Sequence, residues 1–196
     1  MTYRYRIVVL IVLLSLFCAS GVLAQDEWTG NVNAFLGQKK LDSADWEPVD
    51  EQPEFGIEID FRKRNWPISI AIDFMGSSDE ETVFDPTLGP VTLEGKTSEF
   101  DIGVRKIFDE LAPVKPFIGG GISFIRAEAT VTAFGGEANE SDTGAGIWLD
   151  GGLYFTLGQH FNLGFELKYS DADVTIAGIN VKAGGTHVGL LAGYHW

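Results

Sequence analysis

This 196-residue chain has very little cysteine and few basic residues. Its one cysteine is Cys18, and its 14 Lys and Arg face 28 Asp and Glu, for a formal net charge of −14. A fold held together by disulfides is therefore excluded. Nucleic acid is not an expected partner, because phosphate binding depends on clustered Lys and Arg. No Ser- and Pro-rich linker divides the chain, so we predict a single domain.

The N-terminal segment, residues 1–24, has a different composition from the rest. Two arginines precede an apolar stretch from about Ile7 to Phe17, and small residues lead up to Ala24. This is the layout of a secretory signal peptide, and we predict cleavage after Ala24. The apolar stretch is short for a membrane span, and no stop-transfer pattern follows it. Cleavage would remove Cys18 and leave residues 25–196 as the exported domain.

Beyond the signal, the dominant hydrophobic period is two residues, which is typical of strands. In EFGIEIDFRKR, the Phe and Ile residues share one parity, while Glu58, Asp60 and Arg62 share the other. We count eight such strands of about 9 to 13 residues. Short connections alternate with long polar segments, and this order is typical of bacterial transmembrane barrels. The sequence therefore predicts an all-β fold, a closed eight-stranded antiparallel up-and-down transmembrane β-barrel. The long segments span residues 41–54, 76–97, 127–143 and 171–186.

The aromatic residues decide which parity faces outward. A secreted soluble barrel of the calycin type would hide its apolar parity inside, whereas a membrane barrel turns that parity towards lipid. Here the apolar parity carries aromatics near both ends of the strands, and aromatic rings prefer the two bilayer interfaces. We therefore predict two aromatic girdles facing lipid. The girdle on the short-turn side comprises Trp28, Phe61, Trp66, Phe155, Phe161 and Trp196, and the girdle on the long-loop side comprises Phe55, Phe74, Phe100, Phe124 and Tyr169.

The polar parity is predicted to line the barrel interior. An eight-stranded barrel is just wide enough for side chains to fill, so we expect a hydrogen-bonded ionic network that plugs the lumen. Acids exceed bases in this set, and uncompensated buried charge is costly. A narrow, weakly cation-selective water path is therefore the alternative. The predicted lumen network comprises Glu58, Asp60, Arg62, Asp73, Glu99, Asp101, Arg105, Asp150, Glu166 and Lys168.

The last strand, GLLAGYHW, places Tyr194 and Trp196 on the outward parity. At this point the chain resembles the small eight-stranded outer-membrane barrels of Gram-negative bacteria, the OmpA/OmpX-like group. The resemblance implies that the terminal aromatic signals to the barrel-assembly machinery. It also implies an outer-membrane location, with outer-membrane lipid and lipopolysaccharide as surroundings. OmpA itself carries a further periplasmic peptidoglycan-binding domain, and no such tether is inferred for this chain.

The long segments are strongly acidic, as in LDSADWEPVDEQPE and SSDEETVFD. They could bind divalent cations or a basic partner, although the acid spacing does not match an EF-hand loop. No enzyme, cofactor or metal site is expected. The one trio resembling a hydrolase site is His187 with Ser170 and Asp171.

We therefore predict an outer-membrane barrel with a structural or interaction role. Three alternatives remain open: a low-conductance cation-preferring porin or surface-recognition and adhesion protein, a lipid A-modifying enzyme, and a secreted soluble calycin-like barrel.

Overall fold

The computed structural model of this chain describes residues 27–87, 89–109, 113–158 and 160–196. The predicted signal peptide and its cleavage site lie outside these residues. The described part is almost entirely strand, with one short helix. The elements are β1 (Trp28–Leu41), α1 (Ser43–Trp46), β2 (Glu51–Lys63), β3 (Ser69–Asp85), β4 (Gly89–Ile107), β5 (Val114–Ala133), β6 (Gly136–Leu157), β7 (Phe161–Asp171), β8 (Asp173–Ile176), β9 (Ile179–Lys182) and β10 (Gly185–His195).

Eight of these strands form one closed antiparallel barrel in the order β1-β10-β7-β6-β5-β4-β3-β2. The first and last strands close it, in a register that runs from Asn31 opposite His195 to Leu41 opposite Gly185. Trp196 extends this pairing, because its backbone N–H donates to the Gly30 carbonyl at 3.1 Å. The predicted eight-stranded closed barrel is confirmed. Among the described residues, no helix has the length and hydrophobicity that crossing a membrane requires.

The side chains alternate across the barrel wall as the two-residue period predicts. On β2, Ile57 is 43% exposed while the adjacent Glu58 is fully buried. On β4, Ile102 is 42% exposed and Asp101 is fully buried. The apolar parity therefore forms the outer surface of the barrel, and the charged parity lies inside.

The predicted girdle aromatics lie on this outer surface, where Trp28 and Phe61 are half-buried and the other nine are exposed. Phe74, Phe100 and Phe124 lie opposite one another on three neighbouring strands, with ring centroids 5.0 and 6.3 Å apart. At the short-turn end, the ring of Trp28 contacts that of Trp66 at 5.7 Å. Trp66 itself lies in the turn before β3, which begins at Ser69 rather than at the tryptophan. Cross-strand aromatic pairs of this kind stabilise neighbouring strands.

The long polar segments differ from their prediction as loops. Two of them are mostly strand, because β3 and β4 remain paired out to Asp85 opposite Gly89. Likewise, β5 and β6 remain paired out to Ala133 opposite Gly136. Strands reach 22 residues, well beyond the predicted length. The alternation of apolar and polar residues is lost in these extensions, because both faces of the hairpins contact water there. The sequence is therefore mostly polar and does not reveal the strands. In the fourth segment, β8 and β9 form a separate two-stranded sheet.

Two glycines that face each other on β4 and β5 allow these strands to approach closely. Gly103 pairs with Gly121, and a Cβ added to Gly103 would lie 2.7 Å from the Gly121 Cα. We expect Gly103→Ala to lower the free energy of unfolding by about 1–3 kcal/mol, because overpacking forces the wall apart. Urea titration followed by heat-modifiable migration on SDS gels measures this. Gly76→Ala is the control, since its Cβ would meet nothing nearer than 4.0 Å, and equal losses in both variants would contradict the prediction.

Candidate functional site

The centre of the barrel interior is organised by Arg105. Its guanidinium is fully buried and donates from Nε to Asp150 on β6 at 2.8 Å and from an Nη atom to Asp73 on β3 at 3.2 Å. The carboxylates of Glu58 on β2 and Glu166 on β7 lie 3.4 and 3.9 Å away. One cation from β4 thus interacts with acids on four other strands. Fully buried Arg is found almost only where it is paired in this way.

A second buried cation, Lys168 on β7, lies beside the first. Its ammonium is 3.0 Å from the Asp73 carboxylate and 2.5 Å from that of Asp101. It also lies 4.9 Å from the ring centroid of Trp148, and Arg105 lies 5.9 Å from the same ring. Asp73 is shared by both cations, so the two groups form one ionic cluster.

The third buried cation, Lys39 on β1, was missed by the sequence analysis. It forms an ion pair with Glu99 and donates to the Thr97 hydroxyl and the Ala183 carbonyl, each at 3.0 Å. The signal that could have found it is parity, because Lys39 shares the inward parity of Asn31. The first strand is only weakly hydrophobic, so its inner and outer faces are hard to distinguish in the sequence.

Ser170, His187 and Glu54 form a hydrogen-bonded chain above this lysine. His187 Nε2 lies 3.0 Å from the Ser170 hydroxyl, and Nδ1 lies 2.8 Å from the Glu54 carboxylate. A carboxylate only accepts, so Nδ1 carries a proton. Asp171, the acid predicted for this trio, is not its third member, because its carboxylate is bound by Lys182 at 3.2 Å.

Two features distinguish this hydrogen-bonded trio from the catalytic site of a hydrolase. Ser170 and His187 are at most 1% exposed, so a substrate carbonyl cannot approach the hydroxyl. The Glu99 carboxylate also lies 3.2 Å from the Ser170 oxygen. A negative charge there would oppose the oxyanion that forms during acyl transfer, where hydrogen-bond donors are needed instead. The geometry accordingly braces the wall between β7, β10 and β2.

The short-turn end of the interior holds a smaller polar group. Asn31 donates to both oxygens of Asp60, at 2.9 and 3.0 Å, and Asn162 donates to Asn31 at 2.7 Å. Arg62 was predicted to join the lumen network, but it lies at the rim and pairs with Asp109. It is near the end of its strand, where the long side chain can reach water.

Apolar side chains also occupy the interior, and the sequence analysis did not predict them. Phe35, Met75, Phe117, Tyr154 and Leu191 are all buried on the inward parity. The Phe117 and Tyr154 rings stack with centroids 4.5 Å apart, and Arg105 lies 5.3 Å from the Phe117 ring. These apolar residues interrupt the otherwise polar inward parity. That interruption is the sequence signal that could have predicted apolar packing inside the barrel.

An apolar cap lies at the long-hairpin end, and it is built from α1, the end of β1, the middle of β5 and the residues around β8 and β9. Trp46 of α1 is buried here, and its indole N–H donates to the Lys182 carbonyl at 2.7 Å. The Asp45 carboxylate accepts the Lys182 backbone N–H at 2.8 Å. Both bonds tie α1 to β9 across the barrel mouth. The buried members of the apolar cap are Leu41, Trp46, Val49, Ile125, Ala127, Ala172, Val174 and Ala183.

Two carboxylates outside the barrel proper help to fix the long segments. Asp50 accepts a hydrogen bond from the Ser43 hydroxyl at 2.5 Å and has the Lys40 ammonium 2.9 Å away, and these contacts hold its pKa below the usual value. The Asp142 carboxylate accepts the Thr175 backbone N–H at 2.7 Å, which likewise lowers its pKa. Both groups stay ionised at neutral pH.

The interior contains more acid than base. Its buried cations are Lys39, Arg105 and Lys168, whereas its buried acids are Glu54, Glu58, Asp60, Asp73, Glu99, Asp101, Asp150 and Glu166. Neither carboxylate oxygen of Glu58 or of Glu166 has a hydrogen-bond donor among the described side chains. Within the described ranges, no group of three or more His, Cys, Asp and Glu is arranged to hold a metal ion.

Comparisons with known proteins agree with this architecture. The sequence matches the family model described as outer membrane protein beta-barrel domain over residues 9–196. No curated protein matches the chain. The solved structure of Ail, the attachment invasion locus protein of Yersinia pestis, in complex with the heparin analogue sucrose octasulfate, has a TM-score of 0.60 at 15% identity. That alignment covers 87% of this chain and 99% of that one.

Two further solved structures are similar. A major outer membrane protein from Thermus thermophilus has a TM-score of 0.60 at 11% identity, covering 86% of this chain and 99% of that one. The outer membrane protein OprG from Pseudomonas aeruginosa has a TM-score of 0.52 at 13% identity, covering 87% and 96%. At such identities these likenesses show the fold alone.

The central cation should be essential to the interior. We expect Arg105→Met to lower the free energy of unfolding by about 3–5 kcal/mol, because it leaves several carboxylates buried without their partner. Urea unfolding of the refolded protein in detergent micelles measures this loss. Adding Asp150→Asn to the variant should recover part of it, because one uncompensated charge is then removed.

Arg126→Met provides the matched control. This arginine is exposed, and among the described residues its side chain donates only to the Ser141 hydroxyl. Its loss should therefore cost no more than about 0.5 kcal/mol. Similar costs for both arginines would show that the buried cluster does not determine stability.

Proposed function

Because this chain belongs to the outer membrane protein β-barrel domain family, we propose that it is a non-conducting barrel that displays an acidic recognition surface outside the cell. It lies in the bacterial outer membrane, which excludes the soluble calycin-like alternative. In barrels of this kind the short turns face the periplasm and the long segments face outward. The apolar cap is therefore on the extracellular side.

The observation that carries the non-conducting role is the set of buried cations that reach across the barrel. Arg105 and Lys168 extend from β4 and β7 to carboxylates on other walls and contact Trp148, all without exposure to solvent. The apolar cap covers the extracellular mouth above them. Water and ions would have to displace paired charges and packed rings in order to pass.

A second candidate, a cation-preferring path, is favoured by one observation. The carboxylate surplus in the interior is not balanced by protein cations, and uncompensated buried charge is costly. Protons, water or small cations must therefore accompany Glu58 and Glu166. If water and small cations exchange between these positions along the barrel, the same protein would conduct cations weakly.

The serine–histidine–glutamate chain is assigned a structural role in this proposal. Catalysis by a base-activated serine requires a substrate within hydrogen-bonding distance of the nucleophile. Ser170 lies inside the wall with Glu99 beside it, so a lipid A-modifying activity is not proposed. We still predict that the outer girdles contact lipid and lipopolysaccharide. We also still predict that the barrel-assembly machinery recognises Tyr194 and Trp196.

The recognition role rests on charge. The extracellular segments 40–51, 78–96, 126–142 and 171–182 contain sixteen acidic residues and four basic ones. At the tips of the two longest hairpins, Phe84 and Phe134 are 78% and 77% exposed. Exposed aromatic residues are enriched in binding surfaces. Ail was solved with a sulfated heparin analogue, but the acidic surface of this chain would repel such a polyanion. A basic partner is the complementary choice.

Conductance distinguishes the two candidate functions. We expect the refolded protein to give no stable current steps in planar bilayers, because paired side chains fill its lumen. Trp148→Ala should create conductance by removing the ring that packs against both cations. Trp66→Ala is the control, because it removes an outward-facing ring of the same size. Stable cation-selective steps from the unmodified protein would instead establish the path.

The acidic surface predicts that its partner carries positive charge. In nanodiscs of zwitterionic lipid, we expect the protein to bind polylysine and not heparin. Binding should weaken steeply between about 0.1 and 1 M salt as the screening length falls from about 10 to 3 Å. Replacing Asp79, Glu80 and Glu81 by amides should weaken binding, whereas Arg126→Gln should strengthen it. Preference for heparin, or binding that ignores salt, would overturn the recognition proposal.

A further inference from the structure

A small apolar cavity lies on the extracellular face between α1, the extended β4–β5 wall and the β8–β9 hairpin. Its volume is about 150 Å³. An apolar cavity of about this volume in another protein holds a benzene ring. The space therefore matches one aromatic ring or one branched aliphatic group. Its apolar lining includes Trp46, Val49, Leu93, Ala129, Ile176 and Val181.

The cavity is held open by the same bonds that fix the apolar cap. Trp46 is 5% exposed and is anchored through its indole N–H to the Lys182 carbonyl at 2.7 Å. The adjacent Asp45 adds a second anchor, because its carboxylate accepts the Lys182 backbone N–H. Because α1 and β9 are joined across the mouth, two walls of the cavity are preorganised, and preorganisation lowers the entropic cost of binding.

Acidic residues accompany the apolar lining. Asp45, Glu47 and Glu94 all line the cavity. The Glu47 carboxylate is exposed, and within the described part of the chain it has no hydrogen-bond or ion-pair partner. Glu94 pairs with Lys96 at 2.6 Å, while the nearby Lys182 ammonium is held by Asp171 and Asp173. The charge left over at this rim is therefore negative. It lies on Glu47 and on Asp45, whose carboxylate accepts only a backbone N–H, and of the two carboxylates only that of Glu47 is free of a hydrogen bond among the residues that the structure describes.

We propose that this cavity binds a small hydrophobic cation, consisting of an ammonium group that carries one aromatic ring or branched aliphatic group. The apolar part would fill the space beside Trp46, and the ammonium would pair with Glu47. Neither part alone provides selectivity, because a neutral ring leaves the carboxylate unpaired and a bare cation leaves the cavity empty. This inference rests on the proposed acidic recognition surface and adds a ligand class to it.

Phenethylamine is a suitable probe, with 2-phenylethanol and 3-phenylpropionate as neutral and anionic analogues of similar shape. Amines of this kind also partition into lipid, so the readout must be local. Fluorine NMR of fluorotryptophan-labelled protein in nanodiscs provides it, because the chain has only five tryptophans and Trp46→Phe assigns the relevant signal. We expect phenethylamine to shift the Trp46 resonance saturably while leaving the other four in place.

Substitutions test the two halves of the site separately. Glu47→Gln should weaken phenethylamine binding about 2- to 5-fold, the effect of losing one partly exposed ion pair. Ala129→Phe should abolish the saturable shift by filling the cavity. Ala138→Phe, which adds the same ring at an exposed position of β6, is the matched control and should leave binding intact.

Each other outcome would overturn the inference. These are an unmoved Trp46 signal, equal shifts by all three probes, or binding that survives Ala129→Phe. If the Trp46 resonance shifted with protein concentration and not with probe concentration, the cavity would be occupied by a second copy of the chain. Retained polylysine binding alongside an unmoved Trp46 signal would remove this site while leaving the proposed recognition surface in place. Loss of both would remove the two proposals together.

Discussion

Closure of the barrel is the constraint on which the rest of the structure depends. A bilayer offers no water to an unpaired backbone N–H or carbonyl, so a sheet can cross it only when its first and last strands pair. Here β1 and β10 pair over their whole common length, and Trp196 extends that pairing to Gly30. Once the wall is closed, one side-chain parity must face lipid and the other must fill a narrow lumen.

The polar filling has its own requirement, which is that buried charges must find partners. Arg105, Lys168 and Lys39 each pair with a carboxylate on a non-adjacent strand, namely Asp150, Asp73 and Glu99, so the three cations link strands that the backbone ladder does not connect directly. The remaining carboxylates exceed what three cations can neutralise. Because of this imbalance, the proposed non-conducting function depends on how tightly the aromatic side chains exclude water and cations from the lumen.

The strands of the barrel wall continue beyond it into long hairpins with a polar surface. The β3–β4 and β5–β6 hairpins carry acidic residues, and the aromatic residues at their tips are exposed. The apolar cap closes the mouth and at the same time forms the walls of the cavity beside Trp46. In the proposed function, sealing the lumen and presenting a binding surface therefore depend on the same short helix and the same hairpin.

The sequence by itself determined the strand period, the closed eight-stranded barrel and the outward direction of its apolar parity, because a period of two transmits directly to the two faces of a wall. It did not show that His187 meets Glu54 or that Lys39 meets Glu99, since these residues lie on four different strands and only the tertiary structure brings them together. It also missed the inward Phe35 and Leu191, because these apolar side chains depart from the polar pattern of the inward parity. It did not show that Arg62 lies at the rim, because parity gives a direction but not a depth along the barrel axis. Contacts across the lumen were decided by the tertiary structure alone, because they depend on strand tilt and register, which the local pattern of one strand does not contain.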